Sequence, residues 1–220
     1  MILVTFAVPQ ESRDFRRALQ DWKGEEIRVA HVGMGEASAA REMNRLLAGE
    51  KPRLVICAGF GGGLDERLQV ADVVIAENYS NSEWLTGVRN LPGNDSRYYF
   101  GSLVSQSTTA ETPAAKATLA QQSGAMVVDM ETAAVFASCQ VANIPMLAIR
   151  SISDPLSTEI PLPLDVCYDL EKQRPKALGV VAYLLTHPGR IGPFIHFLQG
   201  LAPASRALSD FLLQVLEARI

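Results

Sequence analysis

Between residues 2 and 151 the chain alternates short apolar runs with stretches whose apolar residues recur at helical spacing. This alternation restricts the fold more than any other feature. Residues 2–7, 27–32, 54–58, 73–76, 103–105, 126–128 and 146–151 read as strands, and 11–22, 36–47, 112–122 and 130–141 read as helices. Continuous apolar runs such as ILVTFA and LVICA suit strands covered on both faces. Strands joined by helices build a parallel sheet with helices on either side. The expected fold is therefore α/β: a three-layer α/β/α sandwich with a twisted, mostly parallel central sheet. Residues 78–97, rich in Asn, Ser and Gly, read as a loop, as does the proline-rich segment 155–163. Beyond it, 164–185, 191–199 and 205–218 read as helices. The 220 residues, 48% of them hydrophobic, suit one domain over 1–220, with 187–220 as a helical C-terminal extension.

A net charge of -4 argues against nucleic acid as a partner. The three cysteines, Cys57, Cys139 and Cys167, are too few and too scattered for a disulfide framework and fit a reducing, cytoplasmic setting. The opening MILVTFAVPQ has no basic segment or cleavage site of a secretory signal. His31, His187 and His196 form no cluster, so no metal site and no cofactor are expected.

Two glycine clusters follow predicted strands. Gly33-Met34-Gly35 partly matches a dinucleotide fingerprint, but it follows the second strand, and Lys51 to Arg53 stand where a ribose-binding acid is needed. Gly59-Phe60-Gly61-Gly62-Gly63 has no Lys-Ser or Lys-Thr after it and is not a P-loop. It reads either as a tight exit turn or as a place where backbone approaches a flat ligand, and the number of glycines favours the ligand.

Three carboxylates follow predicted strands. Each has an ordinary reading: Glu11 as a first-turn helix acid, Asp129 and Glu131 as helix cap and first-turn acid, Asp154 as a turn initiator before Pro155. Their shared position after strand carboxyl ends suggests instead that Glu11, Glu131 and Asp154 converge at one edge of a parallel sheet, where α/β folds bind ligands. Acids gathered in an apolar crevice have raised pKa values, as proton donation requires.

These pieces, together with Ala7 to Glu11, Lys51-Pro52, Val128 to Ala134 and Ile144 through Asp154, resemble the nucleoside phosphorylase / nucleosidase superfamily, with methylthioadenosine/S-adenosylhomocysteine nucleosidases as its hydrolytic branch. The resemblance implies cleavage of the N-glycosidic bond of a purine-type nucleoside. It implies that Asp154 protonates the purine and Glu11 positions the attacking water. Glu131 would hold the ribose hydroxyls, and Met130 would pack on the sugar. Asp129, Phe60, Gly61, Gly62 and Ser153 complete the implied substrate-binding set. Phe60 replaces a smaller residue, and Ser107 to Glu111 lacks the aromatic that stacks on the base, which implies a different base pocket. Only Arg13 stands near the first loop as a phosphate ligand, which favours water over phosphate as co-substrate. Glu111 to Lys116 and the tail from Arg174 to Leu212 resemble the hopanoid-associated phosphorylase branch; futalosine hydrolases are similar as well. That likeness leaves a phosphorolytic enzyme of an adenosyl-hopanoid-like substrate as an alternative, beside a non-catalytic nucleoside-binding protein. The resemblance also implies a homo-oligomer, at least a dimer. A stripe formed by Leu201, Leu208, Phe211, Leu212, Val215 and Leu216, with Arg190, Arg206 and Arg219 near it, reads as core or dimer packing, or else as a lipid-facing surface.

Overall fold

The computed structural model describes residues 1–91 and 97–218. In chain order the elements are β1 (Ile2–Phe6), α1 (Arg13–Ala18), β2 (Ile27–His31), α2 (Glu36–Gly49), β3 (Leu54–Gly63), β4 (Val73–Ala76), α3 (Ser82–Arg89), β5 (Tyr98–Gly101) and β6 (Leu103–Ser105). They continue with α4 (Pro113–Ser123), β7 (Val127–Asp129), α5 (Thr132–Ala142), β8 (Met146–Asp154), α6 (Leu164–Cys167), β9 (Tyr168–Asp169), β10 (Arg174–Pro175), α7 (Ala177–Thr186) and α8 (Ile191–Glu217).

The main sheet runs β2-β1-β3-β8-β4-β5, with β7 joining β3 and β6 joining β7. Pairing is parallel from β2 through β8 and between β4 and β5, while β4 runs antiparallel to β8 and β7 antiparallel to β3. The expected mostly parallel α/β sandwich is what forms. Period-two alternation splits each strand between two cores. Ile2, Val4 and Phe6 of β1 and Leu54 and Ile56 of β3 face α1 and the second half of α8. Leu3, Val55 and Cys57 face α2 and α5 through Met43, Leu46, Val135 and Cys139. Burying both faces explains why these strands are apolar throughout.

Several expected boundaries shift. The strand expected over 54–58 continues to Gly63, so the glycine cluster is extended strand rather than an exit turn. The loop expected over 78–97 contains α3, whose start is fixed by Asn81 accepting from the amides of Glu83 and Trp84; residues 92–96 of that loop lie outside the described residues. The helix expected over 164–185 is broken into α6, the β9–β10 hairpin and α7. The two last helices are one, α8, which carries Pro203 inside it. Its second half buries Leu208, Phe211, Leu212, Val215 and Leu216 in the core, so these five residues of the stripe are core packing, while the sixth, Leu201, is half-buried outside that core. Arg219 lies outside the described residues. No described helix is long and apolar enough to cross a membrane.

Candidate active site

A cavity of about 420 Å³ opens at the carboxyl edge of β1, β3 and β8. That volume is in the range of small-molecule sites. Glu11, Phe60, Gly61, Gly62, Asp129, Met130, Glu131, Ser153 and Asp154 all line it. The structure thus brings the residues of the implied catalytic and substrate-binding set to one place, while Arg13 stays outside it.

The convergence has a different cause from the one expected. Glu11 and Asp154 do sit at the ends of parallel strands. Glu131 follows β7, which runs antiparallel to β3 and pairs with it only at Gly62 and Gly63, the end nearest the cavity. Glu131 therefore enters from the flank, not from a shared strand edge.

The glycine strand makes the room. A Cβ at Gly59 would meet Glu11 Oε1 at 3.0 Å, one at Gly62 would meet Asp154 Oδ2 at 3.1 Å, and one at Gly61 would meet Val127 Cγ2 at 2.6 Å. Two glycines thus admit site carboxylates, and the third lets β7 dock. Opposite them the β3–β8 register slips, with Gly61 beside Ile152 and Gly62 beside Asp154. Ser153 is left over in this bulge, which aims Asp154 into the cavity. Gly61→Ala is expected to cost about 1 to 3 kcal/mol, because the β-branched Val127 has few ways to yield. The melting temperature should fall by several degrees, at about 2 to 4 °C per kcal/mol; an unchanged melting curve would show that β7 moves aside freely.

Glu11 precedes α1 rather than starting it. Its Oε2 accepts from the amides of Ala7 (2.9 Å) and Val8 (3.2 Å), and its Oε1 from Phe60 N (2.8 Å). Burial raises its pKa, and these amides with Arg150 pull the other way. Glu131 Oε1 accepts from Gly35 N at 2.7 Å. Gly33 and Gly35 have φ of 80° and 88°, a turn that L side chains resist, and it presents this amide to the site. Burial first and the Asp129 carboxylate second push the Glu131 carboxyl up to about 8. Asp154 Oδ2 lies 2.6 Å from Lys116 Nζ, and its Oδ1 accepts from Ser153 Oγ at 2.5 Å. Burial raises its pKa against the pull of Lys116 and Ser153.

Asp129 is held differently. Its Oδ2 accepts from Arg150 Nε (2.8 Å) and from the Thr132 hydroxyl, and its carboxylate also accepts from Thr132 N. Arg150 is itself buried and donates to Cys57 O and Ile149 O, both at 2.8 Å. This pair ties β7, β3, β8 and the start of α5 together beneath the cavity. Arg150 was detectable in the sequence as a charge inside a buried strand, which must find a partner. Lys116 gave no such signal, since a lysine in a short helix usually points to solvent. Phe194, Phe197 and Leu201 of α8 and Tyr168 of β9 also line the cavity, so aromatic groups arrive from the tail and not from 107–111.

The sequence profile of the phosphorylase superfamily matches residues 3–105 and 96–186, most of the chain. The chain belongs to the phosphorylase superfamily. Among similar members, the 5'-methylthioadenosine/S-adenosylhomocysteine nucleosidase of Marinomonas sp. (strain MWYL1) is 27% identical over 168 residues, spanning 64% of this chain and 73% of its own. The Haemophilus ducreyi nucleosidase of the same name is 29% identical over 155 residues, 58% of this chain and 67% of its own. These superfamily members are N-glycosyl hydrolases by name, in line with the enzyme class implied by the sequence. Two solved structures share the fold. A Streptococcus pneumoniae 5'-methylthioadenosine/S-adenosylhomocysteine nucleosidase bound to a transition-state inhibitor superposes with a TM-score of 0.73 at 16% identity, covering 100% of this chain and 99% of its own. Futalosine hydrolase of Helicobacter pylori superposes with a TM-score of 0.72 at 15% identity, covering 98% and 97%.

Proposed function

We propose that this superfamily member hydrolyses the N-glycosidic bond of a purine-type nucleoside. The observation that carries the reading is the gathering of Glu11, Glu131 and Asp154 around one nucleoside-sized cavity. Asp154 donates a proton to the purine, so the base departs neutral. Glu131 accepts hydrogen bonds from the ribose hydroxyls, a task suited to a carboxylate with free lone pairs. Glu11, anchored by three amides, aligns the water and takes its proton. Water oxygen bonds to C1′, the C1′–N9 pair leaves with the base, and the flanking carboxylates stabilise the positive charge on the sugar.

Water is favoured over phosphate by the lining. Among its described residues none is Arg, Lys or His, and a phosphate dianion needs such partners. Arg13 does not line the cavity, and its side chain lies by Asp14. A second reading comes from the far wall, where Phe194, Phe197, Leu201, Ile160 and Leu162 make an apolar surface suited to an apolar 5′ substituent of the adenosyl-hopanoid-like kind. An exposed apolar face on α7 and α8, including Leu178, Leu185 and Ile195, supports the proposed homo-oligomer.

Base release from adenosine, inosine, methylthioadenosine, futalosine and a long-chain 5′-alkylthioadenosine, each with and without phosphate, tests the reading. Free purine without phosphate is expected, fastest from a substrate with an apolar 5′ group. Strict dependence on phosphate overturns hydrolysis. Tight nucleoside binding with no release from any substrate makes the protein a binder and overturns catalysis.

A further inference from the structure

Lys116 is fully buried, although a lysine ammonium is costly to remove from water without partners. α4 delivers it beneath the cavity, where its Nζ donates to Asp154 O (3.1 Å), Pro155 O (2.9 Å) and Thr158 O (3.0 Å). The Asp154 carboxylate is a fourth acceptor at 2.6 Å. An ammonium has three protons, and the three carbonyls alone can accept all of them. The cation is therefore housed whether or not Asp154 is charged.

We infer that Lys116 is a positioning residue for the proposed acid: caged by backbone carbonyls, its ammonium fixes one carboxylate oxygen of Asp154 and stabilises the anion left once the proton has passed to the base. The inference rests on the reading of Asp154 as that acid. In the step, the Asp154 O–H bond breaks, an N–H bond forms on the purine, and the glycosidic electron pair goes to the base. Asp154 is then an anion facing Lys116 and the Ser153 hydroxyl. A carboxyl buried without a cation would hold its proton too firmly to give it up. Here burial keeps the proton on and Lys116 helps it leave, so the acid is poised between the two.

The neighbours support this assignment. Lys116 from α4 and Ser153 from β8 itself contact the Asp154 carboxylate, and Gly62 of β3 closes the third side without a side chain. The other carboxylates lining the site have other partners: Glu11 the amides of residues 7, 8 and 60, Glu131 the amide of Gly35, Asp129 the Arg150 guanidinium, and Glu111 the Thr109 hydroxyl and the amide of Leu164. Lys116 also pins the 154–158 turn, so loss of stability alone cannot reveal its part in proton transfer.

The discriminating readout is the pH profile, with the rate at each pH divided by the folded fraction that circular dichroism gives at that pH. In Lys116→Met, kcat should fall about 10- to 100-fold with KM nearly unchanged. The alkaline limb of kcat/KM, which reports loss of the acid's proton, should move up by about one pH unit or more, as expected on removing an adjacent opposite charge. Lys116→Arg should keep the limb near its original place. An alkaline limb in Lys116→Met that matches the unmodified protein overturns the inference. Should the variant not fold, Lys116→Gln, which keeps N–H donors for the carbonyl cage but no charge, is measured in its place, with the same alkaline shift expected and an unmoved limb overturning the inference. Failure of the underlying reading looks different, since normal turnover in Asp154→Asn removes Asp154 as the acid whatever Lys116 does.

Discussion

Replacing Asp154 with Asn is expected to slow base release by about 10²- to 10⁴-fold, the usual contribution of a positioned general acid. The protein should remain folded. Asn keeps an amide oxygen for the 2.6 Å contact with Lys116, and the ammonium retains its three carbonyls in any case. The melting temperature should therefore stay within a few degrees of the parent, so the kinetic loss would not be an unfolding effect. A nucleoside analogue whose leaving group departs without protonation should be spared most of the loss, because only the proton has been removed. Purine absorbance follows base release, calorimetry gives the melting temperature, and a riboside with a nitrophenolate leaving group serves as the analogue. Turnover at the parental rate would remove Asp154 from the chemistry. An equal loss on both substrates would assign it to binding.

Much of the fold was legible because its determinants are local. Apolar runs of strand length separated by helical periodicity fix the layers. What was not legible depended on partners distant in sequence. The break in the segment 164–185 is one case. Gln173 there has φ of 49° and clamps Met34, accepting from its amide at 2.7 Å and donating to its carbonyl at 2.9 Å. Nothing in the spacing of residues 164–185 signals a partner 139 positions away. The continuity of α8 is another. Gly200 and Pro203 read locally as a break, but the helix is held on both sides, with Phe194, Phe197 and Leu201 against the cavity and Leu208, Phe211 and Leu212 in the core. For the site, the three acids could be chosen because they follow strands, yet the route of Glu131 through an antiparallel β7 was hidden. So was Lys116: a helix with no strong apolar face gives no hint of which side is buried.

Glu131 offers the second large effect, in which activity and stability move in opposite directions. Its folded carboxyl titrates near 8, while an unfolded glutamate titrates near its ordinary value of 4.5. The native state thus binds this proton more tightly than the unfolded chain does. The sign follows: the stability linked to the bound proton is complete below about 4.5, declines as pH rises, and is gone above about 8. At pH 8 and above the protein carries a buried carboxylate beside Asp129 with one amide to hold it. Glu131→Gln removes that penalty and keeps an oxygen for Gly35 N. The variant should be more stable than the parent by on the order of 4 kcal/mol at pH 8, which raises the melting temperature by roughly 10 °C, and the difference should shrink to under about 1 kcal/mol at pH 5. The same change should cripple turnover. A carboxylate can accept from two ribose hydroxyls while holding the Gly35 amide; a glutamine has one acceptor oxygen and must turn an NH2 group toward one hydroxyl. Above about pH 8, where the parent carboxyl is ionised, losing a charge-assisted pair of bonds should lower kcat/KM by about 10²- to 10³-fold. A 2′,3′-dideoxynucleoside, which lacks both hydroxyls, should be cleaved by parent and variant at similar rates. Melting curves at pH 5 and pH 8 together with kinetics on the two nucleosides test both halves. A variant that is less stable at pH 8, or that loses as much on the dideoxynucleoside, would mean that Glu131 braces the fold rather than being held, at a cost in stability, to bind the sugar.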